Sequence, residues 1–174
     1  VQKTQGRCFV LLTSYAMLEA VAETLEDFCD ENDYKLLVQG RNLPRGVMLD
    51  RFRDNPRTIL LGTASFWQGV DVAGQALQNV IIAKLPFAAP NDPIIEARID
   101  AIRQSGGNPF VQYQLPEAII RFKQGFGRLI RSTSDTGIVV VLDRRVITKS
   151  YGKKFIASLP DIEMICDEFS AQKS

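Results

Sequence analysis

Apolar residues occur along this chain in short unbroken runs, each about as long as a strand. The runs cover residues 8–13, 58–61, 80–85 and 137–142, with a weaker one at 35–38. A continuous apolar run is typical of a strand that is buried on both faces of a parallel sheet. The pattern therefore predicts five strands.

Helical patterns separate these runs. The first predicted helix begins after Ser14, its N-cap, and ends near Asn32. Four of its apolar residues should face the sheet: Met17, Val21, Leu25 and Phe28. Further helices are predicted at about 44–54, after an N-cap at Asn91, from about Pro116, at 150–159 and at 162–169, with a loop at 104–116. Strands that alternate with helices predict an α/β fold, with helices on both faces of a mostly parallel sheet.

Composition narrows the possible chemistry. The chain has 174 residues, which predicts one domain over 1–174, and it contains no histidine, which excludes Ser-His-Asp catalysis and histidine metal ligands. Cys8, Cys29 and Cys166 are far apart, so no metal site or disulfide framework is predicted, and a reduced cytoplasmic chain fits best. No apolar run approaches the ~20 residues that span a bilayer, so no membrane contact is expected.

The net charge of +1 requires that any contact with nucleic acid come from locally placed groups. One cluster of basic residues follows the last predicted strand: Arg144, Arg145, Lys149, Lys153 and Lys154. Its members either meet DNA phosphates or form a solvated face, and the sequence favours neither interpretation.

The segment QGFGRLIR, at 124–131, lies near the end of the fourth predicted helix. At ~100° per residue, Gln124, Arg128 and Arg131 share one side of the helix, opposite an apolar side. That apolar side consists of Ile119, Phe122, Phe126, Leu129 and Ile130. Arginine suits a phosphoryl group during transfer because it stays charged and donates in a fixed geometry, and an arginine finger contributes about 10³ to 10⁵ in rate.

A solvated helix face is the alternative explanation for these polar residues. Gly125 and Gly127 argue against it, because glycine inside a helix costs ~1 kcal/mol relative to alanine. Solvation does not explain that cost, whereas close approach of a ligand or another backbone does.

The segment GTASFWQGVDVAG, at 62–74, follows a predicted strand and so begins at the carboxyl end, where ligands bind in open parallel sheets. Thr63 and Ser65 offer hydroxyl and N–H groups to a phosphate, and Asp71, in a turn with Gly69, can accept from a ribose hydroxyl. The neighbouring aromatic pair, Phe66 and Trp67, is interpreted as core packing rather than as a base-stacking site.

The first strand also ends in polar residues, Thr13 and Ser14, at the start of a helix. Free N–H groups at such a helix start favour an anion such as a DNA phosphate. Taken alone, however, the segment is better explained by an ordinary N-cap.

Five segments together resemble, in order and spacing, the second RecA-like domain of DinG/XPD-type superfamily-2 helicases, over about residues 7–160. They are LLTSYAML, GTASFWQGVDVAG, IIAKLPFAAPNDP, QGFGRLIRS and VVVLDRRVITKSYGKKFIASLP. The resemblance identifies motif IV at about 9–15, motif V at 62–74 and motif VI at 124–132. It implies a RecA-like fold of three layers. Many relatives have an acidic residue where this chain has Gln68.

The resemblance also implies roles for individual residues. Gln124 would sense the nucleotide and its phosphates, and Arg128 and Arg131 would be arginine fingers. Gly69 and Asp71 would help to hold the nucleotide. Four residues would contact single-stranded DNA or couple it to the nucleotide: Thr13, Ser14, Thr63 and Ser65.

The chain has no G-x-x-x-x-G-K-[ST] loop and no acidic pair after a strand, so it lacks its own Walker A loop and its own Mg²⁺ ligands. ATP and Mg²⁺ should therefore be shared with an upstream RecA-like domain of the same protein, where an iron–sulfur cluster is possible. The start at Val1, soon before a buried strand, also suggests a fragment, which should be inactive alone.

The expected function is that of the second motor domain of a 5′–3′ DNA helicase, cytoplasmic and nucleoid-associated in a bacterium, in repair or replication. One alternative is a degenerate helicase half that binds nucleic acid or a partner without turnover. A Rossmann-type transferase or dehydrogenase is a second alternative, against which the absence of G-x-G-x-x-G after a strand argues.

Overall fold

One parallel sheet organises the part of the chain that the structure describes. The computed structural model describes residues 1–41, 43–63, 66, 76–88, 92–130 and 136–166. Its strands are β1 (Cys8–Leu11), β2 (Lys35–Val38), β3 (Thr58–Gly62), β4 (Asn79–Ile82) and β5 (Ile138–Val141). They lie in the order β2-β3-β1-β4-β5, and every pairing is parallel. The five predicted strands and the α/β class are confirmed, but β5 is not buried on both faces as predicted. It lies at the edge of the sheet, where Ile138 is exposed and the other three residues are only partly buried.

Helices connect the strands, and their starts follow from local capping. They are α1 (Tyr15–Glu31), α2 (Arg45–Asp54), α3 (Pro93–Gln104), α4 (Leu115–Phe126), α5 (Arg145–Thr148) and α6 (Gly152–Ile156). Ser14 caps α1 as predicted, since its hydroxyl accepts from the Met17 N–H at 3.2 Å. The prediction for α3 was wrong by one residue. The carboxylate of Asp92 caps it, accepting from Ile94 N at 2.9 Å, while Asn91 lies outside the described residues.

The predicted loop at 104–116 is largely wrong. Phe110–Gln114 forms a π-helical turn that continues directly into α4. Asn108 starts this turn, because its side chain accepts from the N–H groups of Phe110 and Val111 at 3.0 and 3.3 Å. The Asn-Pro pair therefore begins a helix here instead of breaking one.

The end of the chain also differs from the prediction. The predicted helix at 150–159 is reduced to α6, and α5 precedes it unpredicted. Residues 161–166 form no helix, so the described part of the predicted helix at 162–169 is wrong. Among the described residues, no helix is both long and apolar enough to cross a membrane.

The sheet separates two hydrophobic layers. On one face, α1 contributes three buried residues: Leu18, Ala22 and Cys29. The four residues predicted to face the sheet, Met17, Val21, Leu25 and Phe28, are only partly buried beside them, so the buried stripe is centred one residue further along. On the other face, α2, α4 and α6 bury Phe52, Phe122 and Phe155 against β1, β3 and β4.

Asp143 joins the ends of two neighbouring strands. Its side chain is 7% exposed, and it accepts from the N–H of Leu85, after β4, at 2.8 Å. The Arg145 guanidinium lies 2.6 Å away. Burial raises the pKa of the Asp143 carboxyl, but the hydrogen bonds from Arg145 and from the backbone outweigh it and lower the pKa below its ordinary value. Arg145 thus binds a carboxylate of the protein itself. For the rest of the basic cluster, contact with DNA phosphates and a solvated face both remain open.

Asp143→Asn should destabilise the 174-residue chain by about 1–2 kcal/mol at neutral pH, because a charge-assisted hydrogen bond is lost. Since the folded-state pKa lies below the ordinary value, this contribution is present above that value and is lost as the pH falls through the folded-state pKa. The difference between wild type and variant, measured by urea unfolding at pH 7 and in acid, should therefore shrink in acid.

Asp100→Asn is the matched control, because the exposed pair Asp100–Arg103 has the same chemistry at 3.1 Å. It should change the free energy of unfolding by less than about 0.5 kcal/mol. Equal losses in both variants at pH 7 would contradict the role assigned to Asp143.

Candidate functional site

Polar residues from two strand ends meet at the carboxyl edge of the sheet. Thr13 and Ser14 follow β1, and Thr63 follows β3, its direct neighbour. The Leu12 N–H donates to the Gly62 carbonyl at 2.9 Å, so the two chain segments remain paired up to this edge. The structure therefore brings together three of the predicted DNA-contacting residues.

Gln39, after β2, belongs to the same group, although the sequence analysis missed it. Its Oε1 accepts from the Thr63 N–H at 2.6 Å and from the Thr63 hydroxyl at 2.9 Å. Its Nε2 donates to the Tyr15 hydroxyl at 3.0 Å. Gln39 is the first polar residue after the weakest predicted strand, so the rule that ligands bind at carboxyl ends would have identified it.

Phe66 explains why residue 62 is glycine. The Phe66 ring is 1% exposed, and it packs edge-on against Phe9 at 6.4 Å between centroids. A Cβ atom on Gly62 would lie 2.6 Å from ring carbons of Phe66 and 2.8 Å from its Cβ. The interpretation of Phe66 as core packing is confirmed.

Gln124 and Arg128 lie where α4 ends. Phe122, Phe126 and Leu129 are buried, as predicted for the supporting side, whereas Ile119 and Ile130 are partly buried. Gln124 is exposed and Arg128 is partly buried.

The predicted continuation of this helix to Arg131 was wrong, because α4 ends at Phe126. Gly127 is its C-cap rather than an interior residue, and a Cβ there would approach the Lys123 carbonyl oxygen to 3.2 Å. The next N–H, of Arg128, donates to the carbonyl of Gly125 at 3.2 Å, which is a tighter turn than an α-helix makes. The helical angle of ~100° per residue therefore does not determine where Arg128 points.

This end of α4 lies near the amino edge of the sheet. A Cβ atom on Gly137, just before β5, would lie 2.6 Å from a Leu129 methyl group and 2.9 Å from the carbonyl oxygen of Gln78, just before β4. Leu129 thus sits where β4 and β5 begin, beside Arg128. A strand of four residues spans about 13 Å, so the group around Thr63 and the group around Arg128 lie at opposite edges.

The chain between Thr63 and Ala76 joins these two edges. It starts at the carboxyl end of β3 and returns at the amino end of β4, since both strands run in the same direction. Several predicted site residues fall in this stretch or after α4 and lie outside the described residues: Ser65, Gly69, Asp71 and Arg131. Gln68 and Trp67 also lie outside them. Their roles stay predictions.

The cysteines offer no nucleophile in the core. Burial raises the pKa of the Cys8 thiol to about 12 and also raises that of Cys29, so both remain protonated near neutral pH. Within the described ranges, no group of three or more cysteine or acidic residues has the arrangement of a metal site.

Gly62→Ala should destabilise the chain by about 1–3 kcal/mol, because the added methyl group must displace the buried Phe66 ring and its Cβ. Gly46→Ala, in the first turn of α2, is the control, since a Cβ there meets nothing within 4 Å. It should be neutral or mildly stabilising, by up to about 1 kcal/mol. Thermal unfolding of both variants tests this, and equal midpoints would refute the packing argument.

One protein-family model and several known proteins are similar to this chain. Residues 1–162 match a family model described as the helicase C-terminal domain. The ATP-dependent DNA helicase YoaA of Haemophilus influenzae is 45% identical over 161 residues, which are 92% of this chain and 24% of that protein. The ATP-dependent DNA helicase DinG of Photobacterium profundum is 42% identical over 162 residues, with 91% and 23% covered.

A protein of Bacillus subtilis named 3'-5' exonuclease DinG is 40% identical over 160 residues, covering 91% of this chain and 17% of its own length. The chain thus spans about a quarter or less of these relatives. A solved structure named XPD_APO has a TM-score of 0.70 at 17% identity, over 90% of this chain and 32% of that one. This last likeness concerns the fold alone.

Proposed function

The chain belongs to the helicase C-terminal domain family, and from this premise we propose that it is the second motor domain of an ATP-dependent DNA helicase. The resemblance to DinG/XPD-type domains and the RecA-like fold are confirmed by the relatives and the structural neighbour. The activity of the whole protein, its 5′–3′ direction and its role in repair or replication are part of the proposal.

The observation that carries the proposal is the separation of two groups of polar residues, joined by one stretch of chain. At the amino edge, Arg128 and Gln124 stand on a buried apolar support. At the carboxyl edge, Thr13, Ser14 and Thr63 lie on adjoining strand ends. This arrangement supports a motor domain, since two separate groups of polar residues joined by one chain segment can couple one ligand to another.

At the amino edge, we propose that Arg128 and Arg131 donate to the phosphates of ATP held mainly by an upstream RecA-like domain. Fixed guanidinium donors stabilise the charge on the transferring phosphoryl group. Gln124 would bind a phosphate oxygen or the attacking water, and Gly69 and Asp71 would contact the nucleotide.

Mg²⁺, when bound, would neutralise charge on the phosphates. Because the sequence has no acidic pair directly after a strand, we propose that an upstream domain would hold it, together with any iron–sulfur cluster.

At the carboxyl edge, we propose that Thr13 and Ser14 contact the backbone of single-stranded DNA. Thr63 and Ser65 would couple that contact to the nucleotide, because the chain from Thr63 leads towards the amino edge. Closure of the two domains on ATP and their reopening after hydrolysis would move these contacts along the strand. A helicase of this kind would act in the bacterial cytoplasm, at the nucleoid.

Arg128→Ala in the full-length protein should lower DNA-stimulated ATP hydrolysis roughly 10³-fold, as expected for loss of an arginine finger. Arg103→Ala, which removes an exposed arginine of α3 paired with Asp100, should leave the rate within about twofold, because exposed ion pairs contribute little. Both variants should bind single-stranded DNA as wild type does, measured by fluorescence anisotropy.

Undiminished hydrolysis in Arg128→Ala would remove the arginine-finger assignment. A full-length wild-type protein that binds DNA but hydrolyses no ATP would instead support the alternative, a degenerate half that binds nucleic acid or a partner without turnover.

We further expect the 174-residue chain alone to hydrolyse no ATP, since it contains no phosphate-binding G-x-x-x-x-G-K-[ST] loop. A comparison of phosphate release by this chain and by the full-length protein, at equal salt and with saturating single-stranded DNA, tests this. Hydrolysis by the chain itself would mean that the two-domain site is wrong.

A further inference from the structure

Gln39 connects three strand ends through one amide group. Its Oε1 accepts from both donors of Thr63, after β3, at 2.6 and 2.9 Å, and its Nε2 donates to Tyr15, after β1, at 3.0 Å. Gln39 itself continues the β2–β3 ladder, because its N–H donates to the Leu61 carbonyl at 3.0 Å. Its backbone is therefore fixed beside the residue that its side chain holds.

The direction of this hydrogen-bond chain is determined by chemistry. The Thr63 backbone N–H can only donate, so Gln39 must present its carbonyl oxygen to Thr63. Its amide NH₂ then necessarily faces Tyr15. The phenol oxygen of Tyr15 accepts this bond, which leaves the phenol's own proton for another acceptor.

The chain of bonds leads from the protein interior to its surface. Thr63 is 6% exposed, whereas Tyr15 is 57% exposed. Gly40, which follows Gln39, has a φ of 87° and turns the backbone beside the Tyr15 ring. A Cβ atom added to Gly40 would lie 3.7 Å from a carbon of that ring. The nearby cation Arg41 is bound to Glu19 and Glu26 of α1, whereas the Tyr15 hydroxyl can donate outward.

We propose that Gln39 is a positioning residue of the motor, which anchors Thr63 and turns the Tyr15 hydroxyl proton outward to donate to a backbone phosphate of single-stranded DNA. The inference rests on the proposed function and adds Gln39 and Tyr15 to the residues that carry it. A hydroxyl that donates to a phosphate oxygen makes a charge-assisted bond, the stronger kind.

The position of Thr63 makes this arrangement relevant to coupling. Thr63 is the first residue of the chain that leads from the carboxyl edge to the amino edge of the sheet. Because Gln39 holds both its N–H and its hydroxyl, a displacement at Tyr15 is transmitted through one rigid amide to that chain. Gln39 thereby links the DNA contact to the segment that carries the proposed nucleotide contacts.

Gln39→Glu in the full-length protein is the sharpest test, because it replaces the NH₂ donor of the side chain by an oxygen and keeps the oxygen that accepts from Thr63. The carboxylate still accepts from Thr63 but cannot donate to Tyr15, so the phenol must turn its proton inward. We expect the concentration of single-stranded DNA that half-maximally stimulates ATP hydrolysis to rise roughly tenfold, as for loss of one hydrogen bond to a charged group. The maximal rate should fall by a smaller factor.

A double-mutant cycle of Gln39→Glu with Tyr15→Phe separates this effect from simple repulsion between the introduced carboxylate and DNA. Tyr15→Phe alone should raise the half-stimulating concentration by a similar factor. Gln39→Glu should then add little in the Tyr15→Phe background. If Gln39→Glu has the same effect in both backgrounds, charge alone explains it and the proposal is overturned.

Gln39→Leu provides a second variant, since it removes the acceptor from Thr63 as well. It should lower the maximal DNA-stimulated rate more than Gln39→Glu does, because the anchor of Thr63 is lost. Melting temperatures of all variants identify any that fail to fold, and the cycle built on Gln39→Glu remains decisive if Gln39→Leu is among them.

Failure of this inference differs from failure of the proposed function. Full activity in Arg128→Ala, or a wild-type protein without DNA-stimulated hydrolysis, would refute the motor assignment. A DNA-stimulated wild type, an inactive Arg128→Ala and an unchanged half-stimulating concentration in Gln39→Glu would refute only the role of Gln39.

Discussion

The parallel direction of the five strands is the constraint on which the rest of this structure depends. Every strand that ends at the carboxyl edge must be followed by chain that returns to the amino edge before the next strand begins. Helices make most of these returns and cover the two faces of the sheet. The same constraint sets the ends of β1, β2 and β3 side by side, where Gln39 bonds to both Thr63 and Tyr15.

This geometry divides the proposed motor between two edges of one sheet. The group proposed to contact DNA lies at the carboxyl edge, and Arg128 lies near the amino edge beside Leu129. The chain that starts at Thr63 joins them because of strand direction alone. Between the two groups lies the centre of the sheet, where β1 and β3 are buried throughout and have hydrogen-bonded neighbours on both sides.

Local chemistry was predictable where the partners are close in sequence. Ser14 was identified as a cap because it bonds to a residue three positions away. The apolar runs marked the strands most clearly at β1 and β3, where burial of every residue leaves no polar positions. Errors arose where two local signals compete. The glycines and prolines of 104–116 suggested a loop, but Asn108 begins a π-helical turn there. Gly125 and Gly127 were both predicted to lie inside one helix, whereas Gly127 is its C-cap.

The sequence by itself determined the α/β class, the positions of the strands, the cap of α1 and the motifs that identify the family. The strands, the cap and each motif are encoded within a few consecutive residues, and the class and the family follow from their order along the chain. Only the tertiary structure decided that Gln39 bonds to both Tyr15 and Thr63, each 24 positions away, and that Arg128 lies at the opposite edge from them. Such contacts depend on which strands are neighbours and on where a helix ends, and a pattern of hydrophobic positions specifies neither, because many strand orders bury the same residues equally well.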